Sequence, residues 1–239
     1  MLEMMKIILD KYSKCGIIKK KRGLIFMNKL VNFLLNDNNF PTLFTFKNFN
    51  KMGYTVDEYN AYLKEGVING YIDNVYGDIH ALMPKYREKW ISKGILAQMI
   101  DSHSYVSLYY VLCDYGWIPE FIFSVTSVTS SNSHVEEAGE YGTFAYEKLY
   151  ENISDKGIEL EKRLDGDYRI AKPLRALCDL MYFKNASWKS IDTLYEVLRI
   201  GEDSLQEDLT KEDFDELQGS FGIKSIETFL ECIKKELRL

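Results

Sequence analysis

Leu30, Val31, Phe33 and Leu34 recur at helical spacing, and the polar run 36–39 followed by Pro41 ends the helix they predict. Residues 46–52 read as a second short helix, closed by Gly53. Thr55 with Glu58 three residues later fits a capping box, in which each side chain accepts the other residue's backbone N–H. The helix it starts runs to about Lys64, turns Val56, Tyr59 and Leu63 inward and ends near Gly66. Residues 71–80 read as a hairpin, with its turn at Asp73-Asn74 or at Gly77-Asp78. Short helix, short helix, capped helix and hairpin is the order of a winged helix-turn-helix.

After Pro84 the pattern changes. Residues 99–114 read as one helix, with Tyr105, Leu108, Val111 and Leu112 at helical spacing and Gly116 as its stop. Residues 121–129 are β-branched and aromatic, which predicts a strand, and 130–133 a loop. Residues 143–146 and 158–164 alternate as strands, with a turn at Asp165-Gly166-Asp167. An apolar helix spans 172–183, with Pro173 in its first turn, and helices near 188–199, 211–218 and 225–237 close the chain. The pattern predicts an α+β fold. It divides into an extension at 1–26, a winged helix-turn-helix at 27–95 and a mixed α/β domain with C-terminal helices at 96–239.

Charge sharpens this division. The net charge of −6 is unevenly spread over the 239 residues. Residues 1–26 carry seven Lys/Arg against two Asp/Glu, residues 27–90 carry seven of each, and residues 91–239 carry 16 against 27, a balance of −11. An acidic C-terminal half is not a nucleic-acid surface, so any DNA contact is expected from the first 90 residues. Two readings fit the basic segment. It is a short helix whose Lys19–Arg22 tail touches phosphate, or it precedes the true start at Met27, its Lys21-Arg22-Gly23 codons being a ribosome-binding site. No apolar run approaches the roughly 18 residues of a membrane helix. With no signal-peptide pattern either, a cytoplasmic address and no membrane partner are expected.

Candidate chemistry is sparse. Cys15, Cys113, Cys178 and Cys232 form no CxxC pair, and His80, His103 and His134 have no ligand-spaced partner, so neither metal nor cofactor is expected. Asp101, Ser102, His103 and Ser104 are triad residue types, but neighbours in sequence rarely converge on one reacting atom; an N-cap cluster for the following helix is the plainer reading. Gly219-Ser220 lacks the Asp-x-Asp of a nucleotidyltransferase phosphate loop and reads as a turn between helices. Asp179 sits in an apolar helix and needs a partner, for which Arg175 lies four residues earlier. DNA-contact candidates are Lys47 and Lys51 on the second helix and Thr55, Asn60 and Lys64 on the third. Asn74 and Tyr76 on the hairpin and Lys85 and Arg87 after it complete the set. Asp57 and Glu58 oppose phosphate there, although acids at a helix N-terminus also complement its dipole.

Three blocks carry a family likeness: residues 105–119 with 121–127, residues 141–146, and residues 168–182. Their order and spacing resemble the AbiEi-type family, the antitoxin and regulator half of bacterial abortive-infection toxin–antitoxin pairs. The matching positions are Tyr105, Ser107, Gly116, Pro119, Ser127, Thr143, Phe144, Ile170, Ala171, Pro173, Ala176, Leu177 and Asp179. The resemblance implies a non-enzymatic protein of phage defence with two partners. One is its own promoter DNA, bound in autoregulation. The other is a co-encoded nucleotidyltransferase-like toxin, neutralised through the C-terminal domain. Two competing readings stay open: a winged-helix protein-interaction module without DNA binding, and a ligand sensor with a pocket beneath Tyr105, Tyr109, Tyr110 and Phe121.

Overall fold

A computed structural model describes residues 29–37, 40–87, 89–149, 154–163 and 165–239; the basic segment 1–26 lies outside them. The described residues form a mixed α+β fold with ten α-helices and two sheets. The first unit runs α1 (Lys29–Asn36), β1 (Leu43–Phe44), α2 (Phe46–Asn50), α3 (Val56–Ile68), β2 (Ile72–Tyr76) and β3 (Ile79–Leu82). Its sheet is antiparallel, in the order β1-β3-β2. Capping boxes start both α2, at Thr45 with Asn48, and α3, at Thr55 with Glu58.

Four details of the expected first unit change. The strand β1 is only two residues long, too short for a periodicity signal. Residues 51–53 form a turn beyond α2. The third helix continues through Gly66 to Ile68. Gly66 is not a stop but a contact point: a Cβ there would lie 2.5 Å from Ile72 Cδ1, so glycine lets β2 approach the helix closely. Val56, at the first helical position, is exposed, and the inward face of α3 begins with Tyr59. The hairpin turns at Gly77-Asp78, the second of the two expected positions.

The second unit runs α4 (Lys93–Ile100), β4 (Ser104–Val106), α5 (Leu108–Asp114), β5 (Val125–Thr129), β6 (His134–Glu137), β7 (Thr143–Lys148), β8 (Ile158–Arg163) and β9 (Gly166–Ala171). Helices α6 (Pro173–Lys184), α7 (Ile191–Leu198), α8 (Glu202–Asp208), α9 (Lys211–Leu217) and α10 (Lys224–Glu236) follow. Six strands order as β6-β7-β5-β4-β9-β8, with β4/β9 and β5/β7 parallel.

The helix expected over 99–114 is therefore three elements. Ser104–Val106 is a central strand between β5 and β9, buried at every position. Such a strand has no polar alternation, so next to α5 it imitates helical spacing. The chain swings from β4 into α5 at Leu108, whose φ is +61°. Asp101 does not cap a long helix. It closes the turn between α4 and β4, accepting from the His103 backbone N–H at 2.9 Å and from Thr129 Oγ1 at 2.6 Å. The strand expected from 121 begins only at Val125, leaving Phe121 and Phe123 exposed. Strands β6 and β9 and helix α8 were not expected: β6 is a short edge strand with one apolar residue, and β9 continues from the Asp165-Gly166 turn into the core.

Both faces of the small sheet are buried. Phe44 and Ile72 join Leu30, Val31, Leu34, Phe49 and Tyr59 in a core between the first helices. On the opposite face Leu43, Val75, Ile79 and Ala81 belong to the core of the larger sheet. The expected boundary near residue 95 is thus crossed by a shared apolar contact.

Candidate functional site

The first and third likeness blocks meet in one place. Strand β4 carries Tyr105, and Ser107 follows it as the N-cap position of α5. Helix α6 carries Arg175 and Asp179 one turn apart on its buried side. Asp179 Oδ2 accepts from Ser107 Oγ at 2.7 Å and Tyr105 Oη at 3.0 Å, and Oδ1 accepts from Arg175 Nε at 2.8 Å. Arg175 also donates through Nη2 to Tyr105 Oη at 2.7 Å and through Nη1 to the carbonyls of Ser154 and Lys156. Its guanidinium lies 4.7 Å from the centre of the Phe221 ring.

All four side chains are buried, Arg175 and Asp179 at 0 % exposure. Burial pushes the Asp179 carboxyl above its ordinary range, against the pull of Arg175, Ser107 and Tyr105. The carboxylate form fits the geometry, because Arg175 is a donor only and the Ser107 and Tyr105 hydroxyls are both placed to donate to it. Burial likewise drives the Tyr105 phenol well above its usual value, so it remains a neutral donor to Asp179. Arg175 keeps its charge: burial opposes it, and Asp179 and Tyr105 more than restore it. Such a network locks β4, α6 and the 154–156 segment together. It binds this half of the fold rather than offering a reactive group.

The other matching positions serve packing and turns. Gly116 ends α5 at φ +72°, where a side chain is strained. Pro173 opens α6, and Ser127, Phe144, Ile170, Ala171, Ala176 and Leu177 are buried. Thr143 Oγ1 donates to Glu137, and Pro119 is exposed.

Of the nine DNA candidates, three make side-chain hydrogen bonds within the protein and the other six are exposed. Lys47, Lys51, Asn60 and Lys64 are exposed on or just after α2 and along α3, and Asn74 and Lys85 are exposed near the hairpin. Thr55 is occupied as a cap, and its backbone and side-chain hydrogen bonds hold the Glu58 carboxyl below its ordinary range. Tyr76 donates to Glu136 Oε2 at 2.5 Å, on the second unit. Arg87 donates to the Leu82 carbonyl at 3.2 Å and sits 5.8 Å from the Tyr141 ring centre. These last three are committed within the protein. Nothing in the sequence pattern signalled the Tyr76–Glu136 pair, because its partners lie 60 residues apart.

Among the described residues no group of three or more His, Cys, Asp or Glu could hold a metal ion. Burial pushes the Cys178 thiol far up, which makes it a small hydrophobe. The aromatics of the ligand-sensor reading sit in different surroundings: Tyr105 is buried, Tyr109 and Tyr110 pack on the core, and Phe121 is 75 % exposed. A groove of about 210 Å³ lies elsewhere, beside the start of α6. Its Lys172 is paired with Glu216 at 2.8 Å and Asp213 at 3.7 Å, and its Asp208 accepts from Trp117 Nε1. No described helix is long and apolar enough to cross a membrane. No family model matches the chain, and no curated protein matches it either.

Proposed function

We propose that this chain is a non-enzymatic antitoxin and transcriptional autoregulator of the AbiEi-like type. The observation that carries the reading is the convergence of Tyr105, Ser107 and Asp179. They come from two of the likeness blocks, Asp179 lying 74 and 72 residues from Tyr105 and Ser107, and one buried network uses all three. A set of positions that defines a fold in this way supports common architecture more strongly than similar composition does. The acidic C-terminal half suits a basic toxin surface, where complementary charge raises the association rate and discriminates partners.

The N-terminal unit is, in this proposal, a winged helix-turn-helix. Support comes from the order α1-β1-α2-α3-β2-β3 and the β1-β3-β2 pairing. Helix α3 is then the reading helix, with Asn60 facing base edges and Lys51 and Lys64 facing phosphates. In titrations of the chain's own promoter, Lys51→Ala and Lys64→Ala should each flatten the log–log salt slope by about one. Asn60→Ala should relax sequence preference at a cost of about 1–3 kcal/mol. Equal, negligible affinity of wild type for promoter and random duplex at low salt would refute the DNA half of the proposal.

One observation favours a second reading, a module for protein contact. The exposed face of α3 carries Val56 and Ile68, at 53 % and 73 % exposure, beside Asp57, Glu58 and Glu65. Exposed aliphatics among acids suit a protein partner better than a phosphate backbone. The same titration separates the two readings.

A further inference from the structure

A wing that touches DNA is ordinarily free on its outer side. Here the small sheet has no free face, and its strands alternate between two cores. In β3, His80 packs beside Phe44 and Tyr59, with ring centres 6.0 and 6.4 Å away, while Ile79 and Ala81 enter the core of the large sheet. In β1, Phe44 and Leu43 divide the same way. A register shift between Asn74 and Tyr76 lets both Val75 and Tyr76 meet the second unit.

Two polar clasps flank this apolar contact. Tyr76 Oη donates to Glu136 Oε2 at 2.5 Å on edge strand β6. Tyr141 Oη donates to Asp73 Oδ2 on β2. Burial and the Asp73 hydrogen bond push the Tyr141 phenol up to about 12, so it stays a donor across the physiological range. Each clasp joins residues more than 60 positions apart or 60 apart, so neither is a local turn contact.

We infer that the small sheet is a coupling plate, clamped on both faces, and that Glu136 and Tyr141 are positioning residues that fix the exposed face of α3 relative to the large sheet. The two units then open together. A partner that engages the second unit meets α3 in one fixed orientation, and the hairpin is not a mobile wing. The inference holds whether α3 meets DNA or protein.

Native-state hydrogen exchange on the full chain tests it. In the wild type, amides of α3 at 59–67 and of β5 at 125–129 should exchange through the same large opening, with parallel denaturant dependence. Glu136→Ala combined with Tyr141→Phe should speed exchange of α3 and of β5 together, each about tenfold, since both leave through the one opening that breaks the clasps and each lost hydrogen bond contributes modestly. Faster α3 exchange with β5 unchanged would mean that the units open separately. Glu136→Gln, which keeps an acceptor for Tyr76, should restore most of the protection when paired with native Tyr141. Separate, shallow exchange of α3 in the wild type, or no response to the double substitution, would overturn the plate. Promoter binding is scored on the same proteins: coupled exchange without DNA binding supports the plate and removes the DNA reading.

Discussion

Replacing Asp179 by Asn probes the buried network with the smallest change of shape. One acceptor oxygen becomes an NH₂ group. Oδ1 faces Arg175 Nε at 2.8 Å, and Oδ2 faces Ser107 Oγ and Tyr105 Oη at 2.7 and 3.0 Å. With the amide nitrogen toward Arg175 a donor meets a donor, and with it toward Ser107 and Tyr105 both hydroxyls must give up donating and turn to other acceptors in a buried site. Arg175, at 0 % exposure, also loses its counter-charge. Breaking a buried ion pair by removing one member costs about 3–5 kcal/mol. That is a large share of the roughly 5–15 kcal/mol that holds a protein folded. A chain of this size loses about 2–4 °C per kcal/mol, so the Tm should fall by about 6–20 °C. Thermal melting followed by circular dichroism measures it. The double substitution Arg175→Met with Asp179→Leu removes both charges and should recover part of the loss. Recovery stays partial because Ser107 Oγ and the 154 and 156 carbonyls lose their partners. A shift below about 2 °C in Asp179→Asn would refute the claim that this pair is buried and mutually dependent.

Gly94→Ala should destabilise the chain by about 1–3 kcal/mol in urea unfolding, because the overpacking outweighs the roughly 1 kcal/mol that alanine gains in a helix. The new Cβ would lie 2.3 Å from the Tyr168 ring, which has little room to yield; a stabilised variant would refute that packing. Glu216 is held below its ordinary 4.5, first by its hydrogen bond from Lys172. A depressed carboxyl stabilises the fold above its unfolded pKa and loses that contribution as pH falls through the folded one. Glu216→Gln should therefore lower the Tm near neutral pH and melt with a shallower acid limb below about pH 4.5; parallel wild-type and variant curves would exclude the pair. His80 is held below its ordinary 6.5 by burial, partly offset by Asp78. Its contribution is present above 6.5 and lost as pH falls, so His80→Phe should flatten the Tm profile between about pH 7 and 5; an unchanged profile would refute it.

The legible parts of the sequence were those governed by local chemistry. Thr55 with Glu58 announced α3, Pro173 announced α6, and Asp179 in an apolar run required a partner that Arg175 supplies. What stayed hidden depended on distant neighbours. β4 looked helical because its polar alternation vanishes when both sides of a strand are covered. Gly66 looked like a helix stop because the need for close approach lies in Ile72, on another element. Tyr76 and Arg87 looked like free contact residues, and only the fold reveals Glu136 and the Leu82 carbonyl as their acceptors. The network itself was half visible: the pair within α6 could be read, whereas its joining to Tyr105 and Ser107 needed β4 to be a strand.

The central claim is that this chain neutralises a toxin without chemistry of its own and independently of its DNA contacts. The most direct measurement is growth of cells in which the proposed partner, a nucleotidyltransferase-like toxin, is expressed from an unrelated promoter. The full chain is supplied either as wild type or as Lys51→Ala with Lys64→Ala. The account predicts equal rescue by both, since both lysines are exposed and lie outside the second unit. Failure of the wild type to rescue, or rescue only when the toxin keeps its native promoter, would contradict it and leave a plain repressor.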